Sequence, residues 1–181
     1  MKIALDAGHG ARPGRPHTGA AANNLVEDVI ALDLVRRIGH YLRAAGHKTV
    51  HTRSDEMLVP LTQRALIAKA NRCEMFLSIH CNAGPSSARG VEAFVAESDE
   101  RSLNIAKVFV SKIVKLGLAD RGVKWDNHSQ YSRLAVLRGT YRIMPAILLE
   151  VGFLTNLHDS ALIQDAHWRE QLAISIASAV K

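Results

Sequence analysis

Three polar residues stand at the ends of apolar runs far apart in the chain. His9 follows Ile3–Gly8, His80 follows Met75–Ile79, and Glu150 follows Ala146–Leu149. Short apolar runs bounded by turn residues read as buried strands. A residue at the exit of such a strand sits where the sheet meets its loops, the edge at which open α/β sheets bind ligands. Two imidazoles and a carboxylate gathered there have the composition of a metal site. Catalytic zinc takes three protein ligands and keeps a fourth position open. His9 and His80 offer two nitrogens, and Glu27 is a candidate third donor. Glu27 also opens a helix, where a carboxylate is favoured by the helix dipole alone, so from the residues themselves both readings stay open.

The elements that must position these residues alternate. Strands are expected near residues 2–7, 48–52, 75–80, 91–96, 134–138 and 146–151. Residues 28–45 carry Val29, Ile30, Leu32, Leu34, Val35, Ile38, Tyr41 and Leu42 at a spacing that fits a helix with one wide buried face, ended by Gly46. Helices are also expected over 61–71 (Leu61, Ala65, Leu66 and Ala68 inward), 102–116 and 160–180, the last capped by Asp159 or Ser160. Such alternation predicts an α/β fold, with a sheet of about six strands covered on both faces. Residues 10–25 and 119–133 lack periodicity. Loops of that length in a compact domain are often functional, and both are expected to rim the same site.

The 181 residues fit one domain, 1–181, with a substantial core. No stretch approaches 18 apolar residues, so no membrane span is expected. The N-terminal residues do not read as a secretory signal. The expectation is therefore cytoplasmic synthesis without a signal peptide; a secreted or periplasmic protein with its leader removed is the alternative. A net charge of +6 favours polyanionic partners, but the Lys and Arg residues are dispersed and no nucleic-acid motif is present, so nucleic acid is not the expected partner. Cys73 and Cys81 form no C-x-x-C pair and read as buried thiols. Cys81 cannot form a dyad with His80, because adjacent strand residues face opposite ways.

Read together, the motifs resemble the zinc-dependent N-acetylmuramoyl-L-alanine amidases of type 3. The blocks that carry the resemblance are Ile3–Gly10, Glu27–Leu32, Thr52–Arg53 with Leu61–Ala68, Phe76–Ala83, Gly90–Glu92, Ala135–Arg138 and Pro145–Asn156. They follow the family order over nearly the whole chain. The resemblance implies His9, Glu27 and His80 as ligands of a Zn2+ ion and Glu150 as the catalytic carboxylate. It also implies a twisted sheet of about six strands. The implied reaction is hydrolysis of the amide between the lactyl group of N-acetylmuramic acid and L-alanine, with peptidoglycan as partner. The setting is endolysin-like or autolysin-like action on the cell wall. Asp28 stands where a lysine is usual, Cys81 where a small residue is usual, and the first loop is rich in arginine and proline.

Other residues admit two roles each. Arg64 either pairs with a carboxylate or is a solvated helix charge, with a structural role expected. Asn82 either hydrogen-bonds near the metal or closes the turn after its strand. Trp125 and Tyr131 either stack on substrate or pack locally, and His17, His128 and His158 are expected to face solvent. A catalytically silent peptidoglycan-binding module of the same fold is the competing function; the presence of all four polar site residues argues against it. Oligomeric state is not readable from the sequence.

Overall fold

The computed structural model describes residues 1–180. β1 (Lys2–Ala7) is buried from Ile3 onward. The arginine-rich loop after it folds into a small antiparallel ribbon, β2 (Ala21–Ala22) with β3 (Leu25–Val26), which leads straight into α1 (Glu27–Ala44). α1 buries Ile30, Leu34, Val35, Ile38 and Leu42, and the chain turns off it at Gly46, whose φ of 87° suits a residue without Cβ. β4 (Lys48–His51), α2 (Leu61–Ala70), β5 (Met75–Asn82) and β6 (Val91–Val95) follow. α3 (Glu100–Val114) is capped by the Asp99 side chain, which accepts from the Ser102 amide. The chain ends with β7 (Asp120–Trp125), α4 (Ala135–Arg138), β8 (Ala146–Phe153), α5 (Leu157–Gln164) and α6 (Ala166–Ala177).

The main sheet has the order β4-β1-β5-β8-β6-β7. All neighbours are parallel except β6, which runs antiparallel to β8. Strand order reverses at β1: the path through α1 goes out to β4, and the path through α2 returns to β5 on the other side. His9 and His80 leave the sheet at this switch, the place where α/β sheets bind ligands.

The two faces are covered unequally. α1, α3 and α6 bury one face through Ile3, Leu5, Leu77, Ile79, Ile147 and Leu149. The other face has only α2 and the single turn of α4, which cover Ala4, Phe76, Phe94, Ala146 and Leu148. Side chains two apart share a face. On this thinly covered face β5 therefore reads Phe76, Ser78, His80, β8 reads Ala146, Leu148, Glu150, and antiparallel β6 reads Phe94, Glu92. The face changes from apolar to polar toward the carboxyl end of β5 and β8, and there the helices no longer cover it.

Several sequence expectations are corrected. Residues 135–138 are the helical turn α4, not a strand. The sixth strand is β7, drawn from the segment expected to be loop. β7 is a half-exposed edge strand, so it shows no apolar run. The expected helix over 160–180 is two helices, broken at Asp165, whose side chain accepts from the His167 amide and caps α6; Asn156, not Asp159 or Ser160, caps α5. Val29 of α1 is exposed, on the side of the helix away from the sheet, and in α2 Leu61 and Leu66 are 56% and 54% exposed, while Arg64 is buried. No helix among the described residues is long and apolar enough to cross a membrane.

Candidate functional site

β1 delivers His9, the first turn of α1 delivers Glu27, and the end of β5 delivers His80. One ligand-capable atom from each lies within 4.8 Å of the others. Glu27 Oε1 is 2.9 Å from His80 Nδ1 and 3.1 Å from His9 Nε2, and the imidazoles stand edge to face with centroids 5.0 Å apart. Ligands placed tetrahedrally about 2.1 Å from a zinc ion lie about 3.4 Å from one another. The spacing found here needs only small side-chain shifts to meet that geometry, and two nitrogens with a carboxylate oxygen are a donor set zinc accepts. Burial alone would raise the Glu27 carboxyl; hydrogen bonds and positive charge from His80 and His9 outweigh it and hold the group well below the usual carboxylate range. The amides of Ala20 and Cys81 also donate to Glu27, at 2.8 and 3.1 Å.

The local sequence is shaped to this packing. A Cβ on Gly8 would lie 2.4 Å from the His80 ring, so only glycine lets the ring rest on β1. Gly19, at φ 89°, lets the first loop pass over the pair: a Cβ there would lie 2.5 Å from Glu27 Oε2 and 2.8 Å from the His9 ring.

His9 itself has a φ of 58°, a left-handed conformation that costs a non-glycine residue about 1–2 kcal/mol. Two buried guanidinium groups hold the backbone in it. Arg64 donates to the carbonyls of Ala7 and His9, both at 2.6 Å, and Arg53 donates to those of Ala7 and Gly8 at 3.0 and 2.8 Å. Arg64 also pairs with Asp6 Oδ1 at 2.9 Å; Asp6 in turn accepts from Thr52 and Ser78 at 2.5 and 2.6 Å. Arg64 thus has the carboxylate partner considered from the sequence, and its further role is to clamp the chain on either side of Gly8.

Glu150 lies beside this cluster. Sheet register pairs it with His80 on one side and Glu92 on the other, so the three side chains form a row across β5, β8 and β6. Its Oε2 is shut off from solvent and has no hydrogen-bond partner among the described residues. Burial, and then the negative charges of Glu27 and Glu92, push the carboxyl well above its ordinary range. A carboxyl with raised proton affinity is suited to proton transfer.

Glu92 escaped the sequence reading as a site residue; the signal was an acid inside the apolar strand Val91–Val95. It is 4% exposed and accepts from Asn82 at 2.6 Å, Arg121 at 2.8 Å and Lys124 at 2.5 Å. Burial would raise its carboxyl, but Lys124 and Arg121 hold it below the usual range. Asn82 therefore ties β5 to β6, and its Oδ1 also accepts from the Ala83 amide at 2.9 Å, closing the turn.

The polar row opens into a cleft of about 1020 Å³ that includes His9, Glu27, His80 and Glu150. Both long loops reach its rim, the first through Arg15 and Gly19, the second through His128, Tyr131 and Arg133. Trp125 packs against the core instead. His17 does not simply face solvent: its Nδ1 is 3.2 Å from Asp28 Oδ1, which pins the first loop to α1. His158 sits 3.4 Å from Asp159 on α5. Cys81 is buried on the opposite face from His80, and burial pushes its thiol well up; Cys73 is also buried and raised by burial.

The same arrangement of elements recurs in known proteins. The catalytic domain of CwlV, an N-acetylmuramoyl-L-alanine amidase from Bacillus (Paenibacillus) polymyxa var. colistinus, superposes with a TM-score of 0.84 at 29% identity, covering 99% of this chain and 95% of that one. YqiI of Bacillus subtilis is 34% identical over 98% of this chain and 82% of its own length. The endolysin of Bacillus phage SPP1 is 32% identical over 88% of this chain, which spans 57% of that protein. The family model described as N-acetylmuramoyl-L-alanine amidase matches residues 3–181. The fold and this near-complete match together show that the chain belongs to the N-acetylmuramoyl-L-alanine amidase family.

Proposed function

We propose that the chain is a zinc-dependent amidase that cleaves the amide between the lactyl group of N-acetylmuramic acid and L-alanine in peptidoglycan. The observation that carries this is the meeting of His9, Glu27 and His80 within 4.8 Å of one another, beside a buried Glu150 oxygen with no partner. His9, Glu27 and His80 would hold the ion, and Glu150 is the catalytic residue. When bound, zinc supplies positive charge that polarises an amide carbonyl and acidifies a water.

The remaining work belongs to the chain. Glu150 takes the proton of the attacking water and passes it to the departing nitrogen, so that the amine leaves neutral. Its raised proton affinity favours the intermediate state in which it carries that proton. Glu27 serves differently: oriented by the Ala20 and Cys81 amides, which donate to its two oxygens, it is a fixed negative donor. Arg53 and Arg64 keep the His9 backbone in place through the reaction. The cleft admits a substrate larger than a single residue. The site of action is the cell wall, in an endolysin-like or autolysin-like setting, and a silent wall-binding module would have no use for a bare buried carboxyl.

Digestion of purified peptidoglycan tests the reading. The zinc-loaded protein should release new alanine amino termini and no new reducing sugar ends; a chelator should stop the reaction and added zinc restore it. Reducing ends without amino termini, or turnover indifferent to the chelator, would overturn it.

A further inference from the structure

The end of the cleft away from the His–Glu–His cluster is basic and built. Arg121 and Lys124 of β7 both bond Glu92, and the Arg121 guanidinium also lies 4.8 Å over the Phe153 ring. Arg121 is thereby fixed in place. Among the described residues only its Nε is engaged, so the two terminal amino groups remain available, and the side chain is 33% exposed to the cleft. Two cations share one carboxylate here, with Arg133 adding charge on the rim. A planar, oriented guanidinium with unused paired donors is matched to a carboxylate.

On the amidase reading given above, we infer that Arg121, with Lys124, forms a subsite for a free carboxylate on the peptide arm of the substrate. The sheet sets its position. β7 is two strands from β8, and strands lie about 4.8 Å apart, so Arg121 is roughly 10 Å from Glu150 along the sheet. An extended peptide advances about 3.3 Å per residue. The carboxylate therefore belongs to the second or third residue beyond the scissile amide.

The test uses two synthetic muramoyl peptides that differ only in a free acid or a carboxamide on the second residue, and a second pair that differs on the third. The zinc-loaded wild-type chain should favour the acid of one pair by roughly tenfold or more in kcat/KM, mostly through KM. Arg121→Gln with Lys124→Gln should bring that ratio near one, and Arg121→Lys should keep part of it. Should the double variant not fold, calorimetry on the zinc-loaded wild type and on Arg121→Gln alone decides instead: the released peptide acid should bind wild type more tightly than its amide, and a difference that Arg121→Gln leaves unchanged would overturn the subsite. Equal cleavage of acid and amide in both pairs, or a preference that survives the double variant, would overturn the subsite while leaving the amidase reading intact. Cleavage of none of the four peptides would instead remove the amidase reading and the subsite with it.

Discussion

Asp6 lies beneath the cleft floor and Glu150 lies on it, and the two carboxylates meet opposite surroundings. Asp6 is fully buried, paired with Arg64 and bonded by two hydroxyls. Glu150 Oε2 is equally shut away and bonded by nothing. A buried polar group without a partner costs about 1–3 kcal/mol, and no described residue offsets that cost at Glu150 as Arg64 and two hydroxyls do at Asp6. The difference separates the two tasks. The satisfied carboxylate anchors the guanidinium that clamps His9. On the proposed function, the unsatisfied one exchanges the proton. Glu27 and Glu92 fall between them, buried but held ionised by cationic or hydrogen-bonding neighbours.

Four single substitutions, one of them with a compensating second change, probe this contrast. Glu150→Gln removes the exchangeable proton and should lower kcat by about 10²–10⁴-fold; metal content by elemental analysis should be unchanged. Arg64→Met strands the Asp6 charge and should destabilise the fold by about 3–5 kcal/mol in chemical denaturation; adding Asp6→Asn should recover part of the loss. Glu27→Ala should weaken zinc affinity in equilibrium dialysis by more than about 100-fold, since even residues that only support a ligand are worth about 10–100-fold. Glu92→Gln has the smallest effect and carries a pH signature. The Glu92 carboxyl is lowered on folding, so its stabilisation is complete above the ordinary value of 4.5 and is lost as pH falls through the folded value. Thermal melts of Glu92→Gln should therefore lose less stability than wild type on acidification below about pH 4.5, by roughly 1 kcal/mol at most, because Arg121 and Lys124 are partly solvated.

Much of this was legible in the sequence because burial and chemistry coincide. β1, β5 and β8 are central strands, so their apolar runs are unbroken, and the polar residues that end them stand out. The segment at residues 134–138 was not legible: a four-residue apolar run fits a strand or one helical turn equally well, and the packing of Val136 and Leu137 against α2 decides for the helix. β7 was hidden because an edge strand that offers Arg121 and Lys124 to a cleft cannot also be apolar. The Arg64 clamp was only half visible, since its helix position pointed to a charge pair and nothing local indicated the carbonyls of Ala7 and His9. Glu92 has no role legible in the sequence, because its importance comes from lying next to Glu150 in the sheet, a neighbour 58 positions away in sequence.

X-ray absorption on the zinc-loaded chain tests the metal assignment most directly. One zinc per chain is expected, bound by two imidazole nitrogens and a carboxylate oxygen at about 2.0–2.2 Å, with that signature lost in Glu27→Ala. A sulfur ligand from Cys81 or Cys73, or a spectrum that Glu27→Ala leaves unchanged, would contradict it.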